Sequence, residues 1–259
     1  MPEPVRSRLR HITMMCPVAR SVLPAVALLL VAGCGSEGAS SEETAARSTE
    51  AAAAMVGPCP ADAPGVKAAR TIATVDLDGD GQSDAVKLTR SAGRCAKVLF
   101  AKLADGYVGK KLAGGQPPVS AAYGVEVPGH QSALLVTRED HPRGGFQLRL
   151  YAAGEGDELT ELEVDGRSLV PFVALDVQEH PLSIDCTDAG VAITEAVAHE
   201  PHGVMFAWDI TRTSYAVEGS VATAGATREI ADNVHPGQLA ARYPELVKYS
   251  AFASCRTAG

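Results

Sequence analysis

The chain has 259 residues, 46% of them hydrophobic and 21% charged, and its 31 acidic side chains against 23 basic ones leave a net charge of −8. An acidic balance of this size argues against nucleic acid as a partner, and against a surface that clings to anionic lipid. It is compatible with cation binding.

Residues 1–33 have the order of an export signal. Arg6, Arg8, Arg10 and Arg20 carry positive charge, with Glu3 the single acid, and residues 22–31 form an apolar run. That run is far shorter than the roughly 20 residues needed to span a bilayer core. Met14 and Met15 offer alternative, more compact starts. Val31, Ala32, Gly33 and Cys34 follow, and this tetrapeptide resembles the lipobox of bacterial lipoproteins. The resemblance implies that Cys34 is acylated through sulfur and becomes the first residue of the mature chain. The protein would then sit lipid-anchored on the extracytoplasmic face of the cell membrane. One acyl chain holds only marginally at about 0.8 kcal/mol per methylene, whereas the two chains of a diacylglyceryl cysteine hold stably. Loss of residues 1–33 leaves 19 basic and 30 acidic residues, which makes the mature chain more acidic still.

Residues 34–57 are dominated by Ser, Ala, Glu, Gly and Thr, with Met55 and Val56 the only sizeable apolar side chains. Such a stretch buries too little apolar surface to offset its ordering entropy, so it is expected to be a flexible tether. A transient helix over 43–55 is compatible with its Ala and Glu content. Residues 58–259 then form one folded domain. Its four cysteines, Cys59, Cys95, Cys186 and Cys255, are an even number in an exported chain and imply two disulfides. Of three possible pairings, the expected one joins Cys59 to Cys95 and Cys186 to Cys255, stapling each end of the domain. No C-x-x-C spacing supports a zinc site.

Short segments alternating apolar with polar residues, bounded by Gly, Pro, Asp or Asn, predict antiparallel strands at 71–75, 85–88, 96–103, 133–137, 146–151, 159–164, 172–177, 191–198, 205–210 and 213–217. The fold class is therefore all-β. One helix is expected near the C-terminus, where Leu239, Tyr243 and Leu246 recur at helical spacing and Pro244 must start a new turn or kink it. A weak internal repeat lays residues 75–88 over 125–137, with Gln82-Ser83 falling on Gln131-Ser132. Each copy continues through a strand, a Gly-containing turn and another strand, and a third unit is expected near Leu175. That spacing suggests propeller blades; a β-sandwich accommodates the same strands without repeats.

The segment DLDGDGQSD, residues 76–84, carries Asp76, Asp78, Asp80 and Asp84 at positions 1, 3, 5 and 9, with Gln82 at position 7. Calcium takes six to eight oxygens, and alternate carboxylates on a tightly wound loop can converge on one ion while the Gln82 carbonyl supplies position 7. Gly79 and Gly81 permit the turns. An EF-hand needs a bidentate Glu at position 12 between two helices. Here position 12 is Lys87 and both flanks are strand-like, so the EF-hand is rejected. The strand–loop–strand pattern resembles the FG-GAP/VCBS repeats of integrin-like β-propellers and bacterial surface proteins. The resemblance is good over 71–88 and fair to about residue 112. It implies one structural Ca2+ site, because Val127, Gly129 and Ala133 occupy the ligand positions of the second unit. About 200 residues hold three or four such blades rather than a closed ring of seven.

No local pattern marks a catalytic residue. His199, Glu200, Pro201 and His202 lack H-E-x-x-H spacing and read as a turn, as do residues 139–145 and 179–181. No G-x-S-x-G elbow, P-loop or Rossmann pattern occurs. Trp208 alternates as a half-buried strand residue would. The expected function is a non-enzymatic binding or structural module at the cell envelope, taking a protein or glycan through its loops. The alternatives are a lipid-anchored hydrolase, which would gather His199 or His202 with an acid and a nucleophile, and a solute-binding lipoprotein.

Overall fold

The structure is a computed structural model and describes residues 54–90, 93–142, 144–154, 156–173, 180–198 and 207–258. All of them belong to one compact unit, Glu50–Gly259. Cys34 and most of the expected tether lie outside the described residues, as do 174–179 and 199–206.

A small hairpin of β1 (Met55–Val56) and β2 (Cys59–Pro60) opens the domain, and a single turn of helix, α1 (Pro64–Lys67), follows it. The first sheet is an antiparallel meander of β3 (Arg70–Val75), β4 (Asp84–Leu88), β5 (Val98–Leu103) and β6 (Gly106–Lys111). The second repeats that plan with β7 (Val119–Glu126), β8 (Leu134–Asp140), β9 (Phe146–Ala153) and β10 (Leu159–Glu161). Three short strands follow: β11 (Glu163–Val164) and β12 (Arg167–Ser168) extend the third sheet, and β13 (Phe172–Val173) pairs back on β9. The third meander is β14 (Leu182–Thr187), β15 (Gly190–Ala198), β16 (Trp208–Glu218) and β17 (Val221–Val234). Two short helices, α2 (Pro236–Arg242) and α3 (Pro244–Val247), lead to β18 (Arg256–Ala258), which returns to the free edge of β7.

The three meanders stack face to face. Val86, Leu99 and Val108 of the first sheet pack on Leu135, Tyr151 and Leu159 of the second. The opposite face of the second sheet, with Leu134, Val136, Leu148 and Leu150, packs on Ile184, Val191 and Ile193 of the third. A sheet covered on both sides needs apolar residues at consecutive positions, which is why residues 133–136 read Ala-Leu-Leu-Val without alternation. The ends are capped. Val56, Cys59 and Val66 cover Val98 and Phe100 on the first sheet, and Leu239 and Leu246 cover Trp208, Ile210 and Val234 on the third. Among the described residues the first and third sheets share no hydrophobic cluster, so the three meanders form an open stack rather than a ring.

Several expectations are refined. The folded part includes Met55 and Val56, because Val56 is fully buried against the first sheet; the tether therefore ends before residue 55 rather than at 57. The predicted strand at 159–164 breaks at Leu162, where the chain leaves the second sheet for the third. The described end of the strand expected at 205–210 and the strand expected at 213–217 are joined in the continuous β16, whose pairing with β17 shifts register between Trp208 and Ile210, between Ile210 and Thr211, and between Thr213 and Tyr215. The C-terminal helix is broken at Tyr243, directly before Pro244. The two disulfides pair as expected, Cys59 with Cys95 and Cys186 with Cys255.

Candidate metal centre

Residues 76–83 form the turn between β3 and β4, and the hairpin register sets its neck: Val75 pairs with Asp84, so Asp84 lies beside the start of the loop. Leu77 points inward and is fully buried between the first two sheets, which turns Asp76 and Asp78 outward on either side of it. Gly79 at φ +76° and Gly81 at φ +82° then wind the backbone through left-handed conformations. Asp76 accepts the N–H groups of Gly79 at 2.8 Å and Gly81 at 2.9 Å, and Asp84 accepts that of Leu77 at 2.9 Å. Asp78 accepts from Asp80 at 3.2 Å and, across to the β5–β6 turn, from Ala104 at 3.4 Å.

These contacts bring Asp76, Asp78 and Asp84 together, each offering an oxygen within 4.8 Å of the others. That span matches two oxygens on opposite sides of an ion with bonds of about 2.3–2.6 Å. Desolvation by burial raises the Asp84 carboxyl above the ordinary carboxylate range; the Leu77 N–H works against the rise, and the charges of Asp78, Asp80 and Asp76 add to it. A cation between these groups removes the repulsion. Asp80 stands apart from the converging set, its oxygens taken by the backbone N–H of Gln82 at 2.7 Å and the Gln82 side-chain amide at 3.2 Å. The donor set of carboxylates on a glycine-wound loop fits a hard divalent cation.

The loop also joins the first unit to the second. The Asp76 backbone carbonyl accepts the Ala133 N–H at 2.9 Å, and a Cβ on Gly79 would stand 2.7 Å from the Gln131 carbonyl oxygen. Gly129, fifty positions later and at φ +83°, meets the Asp188 carbonyl of the third unit in the same way, at 3.2 Å. The repeat read from Gln82-Ser83 and Gln131-Ser132 thus corresponds to equivalent turns of successive sheets, each pressing a glycine on the next. In the third unit the equivalent turn, between β14 and β15, has only two residues, Asp188 and Ala189, and no room for ligands. His130 extends the link: its Nδ1 faces the Ser132 carbonyl at 2.6 Å and its Nε2 the Gly219 carbonyl at 3.1 Å. Clefts of about 530 and 490 Å3 flank the loop, the first reaching His130 and Arg256, the second Asp105, Tyr107 and Asp157.

Of the other polar groups, the segment read as a turn at 139–145 contains a surprise. Glu139, the last residue but one of β8, is fully buried, accepting hydrogen bonds from Gln116, Gln147 and Arg149, while Arg149 also pairs with Glu161. Its only local hint was the Thr137-Arg138-Glu139 alternation that continues the strand past the predicted end. His141 is half-buried with Nε2 at 3.2 Å from Gln147, and His180 is exposed. Trp208 is buried against Leu239 and Leu246. The cluster at 199–202 lies outside the described residues.

No family model, curated protein or solved structure matches the chain.

Proposed function

We propose that the chain is an exported, lipid-anchored protein whose all-β domain is a calcium-stabilised binding and structural module at the cell envelope. The single observation that carries the calcium reading is the convergence of Asp76, Asp78 and Asp84 on a loop already wound by Gly79 and Gly81. Those three side chains would hold the ion, joined by Asp80 once it leaves Gln82 and by the Gln82 carbonyl. The ion supplies charge compensation. The protein's own groups supply the rest: Leu77 roots the loop in the core, the Ala104 N–H ties it to the neighbouring turn, and Gly79 and Asp76 seat it against the second sheet. A metal there locks three turns at one end of the stack, beside the two clefts, and this favours recognition of an extracellular protein or glycan by those loops. The anchor rests on Val31 to Cys34 and the residues before them.

Calcium titration of thermal stability tests the reading, with the full chain in detergent. At 1 mM calcium and a Kd of about 10⁻⁴ M, binding adds roughly 1.4 kcal/mol. For a domain of this size that raises Tm by about 3–6 °C. Asp78→Ala with Asp84→Asn is expected to abolish the response. The same rise in both proteins would reject the site. Cys34→Ser is expected to release the protein from the membrane fraction.

A further inference from the structure

At the opposite ends of the same strands, a cavity of about 290 Å3 opens between the start of β3, the end of β4, the start of β5 and the segment linking β6 to β7. Its polar wall is made by Arg70, Arg90 and Lys97, and among the described residues no acidic side chain lines it. This inverts the charge of an acidic chain. Arg70 and Arg90 are exposed and Lys97 is half-buried, so water screens their mutual repulsion in part and a bound anion would relieve the rest. Leu112, Pro117 and Val119 supply an apolar wall opposite.

Lys97 is built into the site rather than lying on the surface. Its backbone is left-handed, at φ +55°, which an L-residue with a side chain adopts only when its surroundings hold it there. The surroundings are visible: the Lys97 carbonyl accepts the Leu112 N–H at 2.9 Å, and its half-buried ammonium donates to the carbonyls of Gly114 at 3.3 Å and Gln116 at 3.1 Å. These carbonyls account for two of its three N–H bonds. Arg70 donates at 3.4 Å to the Val119 carbonyl and is thereby held at the rim. Thr89, whose hydroxyl donates to the Cys95 carbonyl at 2.6 Å and accepts the Val98 N–H at 2.8 Å, keeps the β4–β5 wall in place. Gln116 closes the floor, since its side-chain amide is spent on buried Glu139. A preorganised cation, two further guanidinium groups and one apolar wall are the requirements for a small molecule with an anionic head and a compact apolar body.

We infer that this cavity is a binding site for a small amphiphilic anion, a carboxylate or phosphate ester of roughly ten heavy atoms at about 30 Å3 each. The site is independent of calcium, because the metal loop occupies the far ends of β3 and β4.

The test is isothermal titration calorimetry of the full chain with phenyl phosphate and benzoate, with benzamide as a neutral isostere and inorganic phosphate as a head without a body. Both amphiphilic anions are expected to bind, each at least about tenfold tighter than benzamide, as loss of one charge-assisted contact implies. Phenyl phosphate is expected to bind several-fold tighter than inorganic phosphate. Lys97→Gln is expected to weaken phenyl phosphate by about tenfold or more. Since that change also removes contacts to Gly114 and Gln116, Arg90→Gln on the exposed rim serves as a second variant, expected to weaken binding several-fold at unchanged Tm. Binding is expected to be the same in EDTA. No binding of either anion, equal affinity for benzamide, equal affinity for inorganic phosphate, or wild-type affinity in both variants would each overturn the inference. A failed calcium response with anion binding intact would reject the metal site alone.

Discussion

Two glycines in one loop separate local backbone cost from packing between sheets. Gly79 and Gly81 both adopt left-handed backbone, at φ +76° and +82°. A Cβ on Gly81 meets nothing within 4 Å, whereas one on Gly79 would stand 2.7 Å from the backbone oxygen of Gln131. Alanine at Gly81 therefore pays only the conformational term, about 1 kcal/mol. Alanine at Gly79 adds an overpacking term of about 1–3 kcal/mol, because the obstacle is backbone and cannot rotate away. Both changes reduce the freedom of the unfolded chain alike, so that contribution cancels in the comparison. At about 2–4 °C per kcal/mol for a domain of this size, Gly81→Ala should lower Tm by about 3 °C and Gly79→Ala by about 9 °C. Gly129→Ala, whose Cβ would lie 3.2 Å from the Asp188 oxygen, should fall between them. The measurement is thermal and urea unfolding in EDTA, followed by circular dichroism and by the fluorescence of Trp208, the only tryptophan of the chain. Equal losses for Gly79→Ala and Gly81→Ala would refute the packing of the first unit's loop on the second.

Other expectations concern the core and its staples. Tyr151 is fully buried, and its hydroxyl lies near Gln116 without completing a hydrogen bond. Tyr151→Phe should thus leave stability unchanged or raise it by about 1 kcal/mol, and a loss larger than that in urea titration would contradict the structure. Burial, then the nearby Glu161 charge, pushes the Tyr151 phenol well above its ordinary range. The folded state holds that proton while the unfolded chain releases it, so stability is lost as pH rises past 10; Tyr151→Phe should move alkaline unfolding, read by phenolate absorbance, to higher pH. Glu139→Gln keeps one acceptor oxygen but removes the charge and turns an amide N–H group toward Gln116, Gln147 or Arg149; with Arg149 still paired to Glu161 it should cost about 1–3 kcal/mol in the same titration. Replacing Cys186 and Cys255 by Ala opens a link across 69 residues and should cost about 4 kcal/mol by chain entropy, slightly more than removing the 36-residue link of Cys59 to Cys95.

Much of the secondary structure was legible because its causes are local. The strands at 71–75, 85–88 and 146–151 alternate on their own, and Pro244 ends α2 whatever surrounds it. β17 was not legible. Its residues 223–230 are all exposed, so no apolar alternation marks it, and its extended form comes from pairing with β16. β7 was missed as well, since small Ala121, Ala122 and Gly124 hide a strand whose core face is completed by the sheets around it.

The spacing of Asp76, Asp78, Asp80 and Asp84 with two glycines determined by itself that the loop winds on its own carboxylates, because every hydrogen bond involved spans only a few residues, apart from the link to Ala104. Even the disulfide pairing followed the order of the cysteines. Tertiary structure alone decided which carboxylates converge, leaving Asp80 with Gln82, and that Gly79 must be glycine on account of Gln131. It also buried Glu139 and gathered Arg70, Arg90 and Lys97 around one cavity. The physical reason is range: backbone winding is set by adjacent residues, whereas burial and charge neighbourhood are set by strands that meet only when the sheets stack.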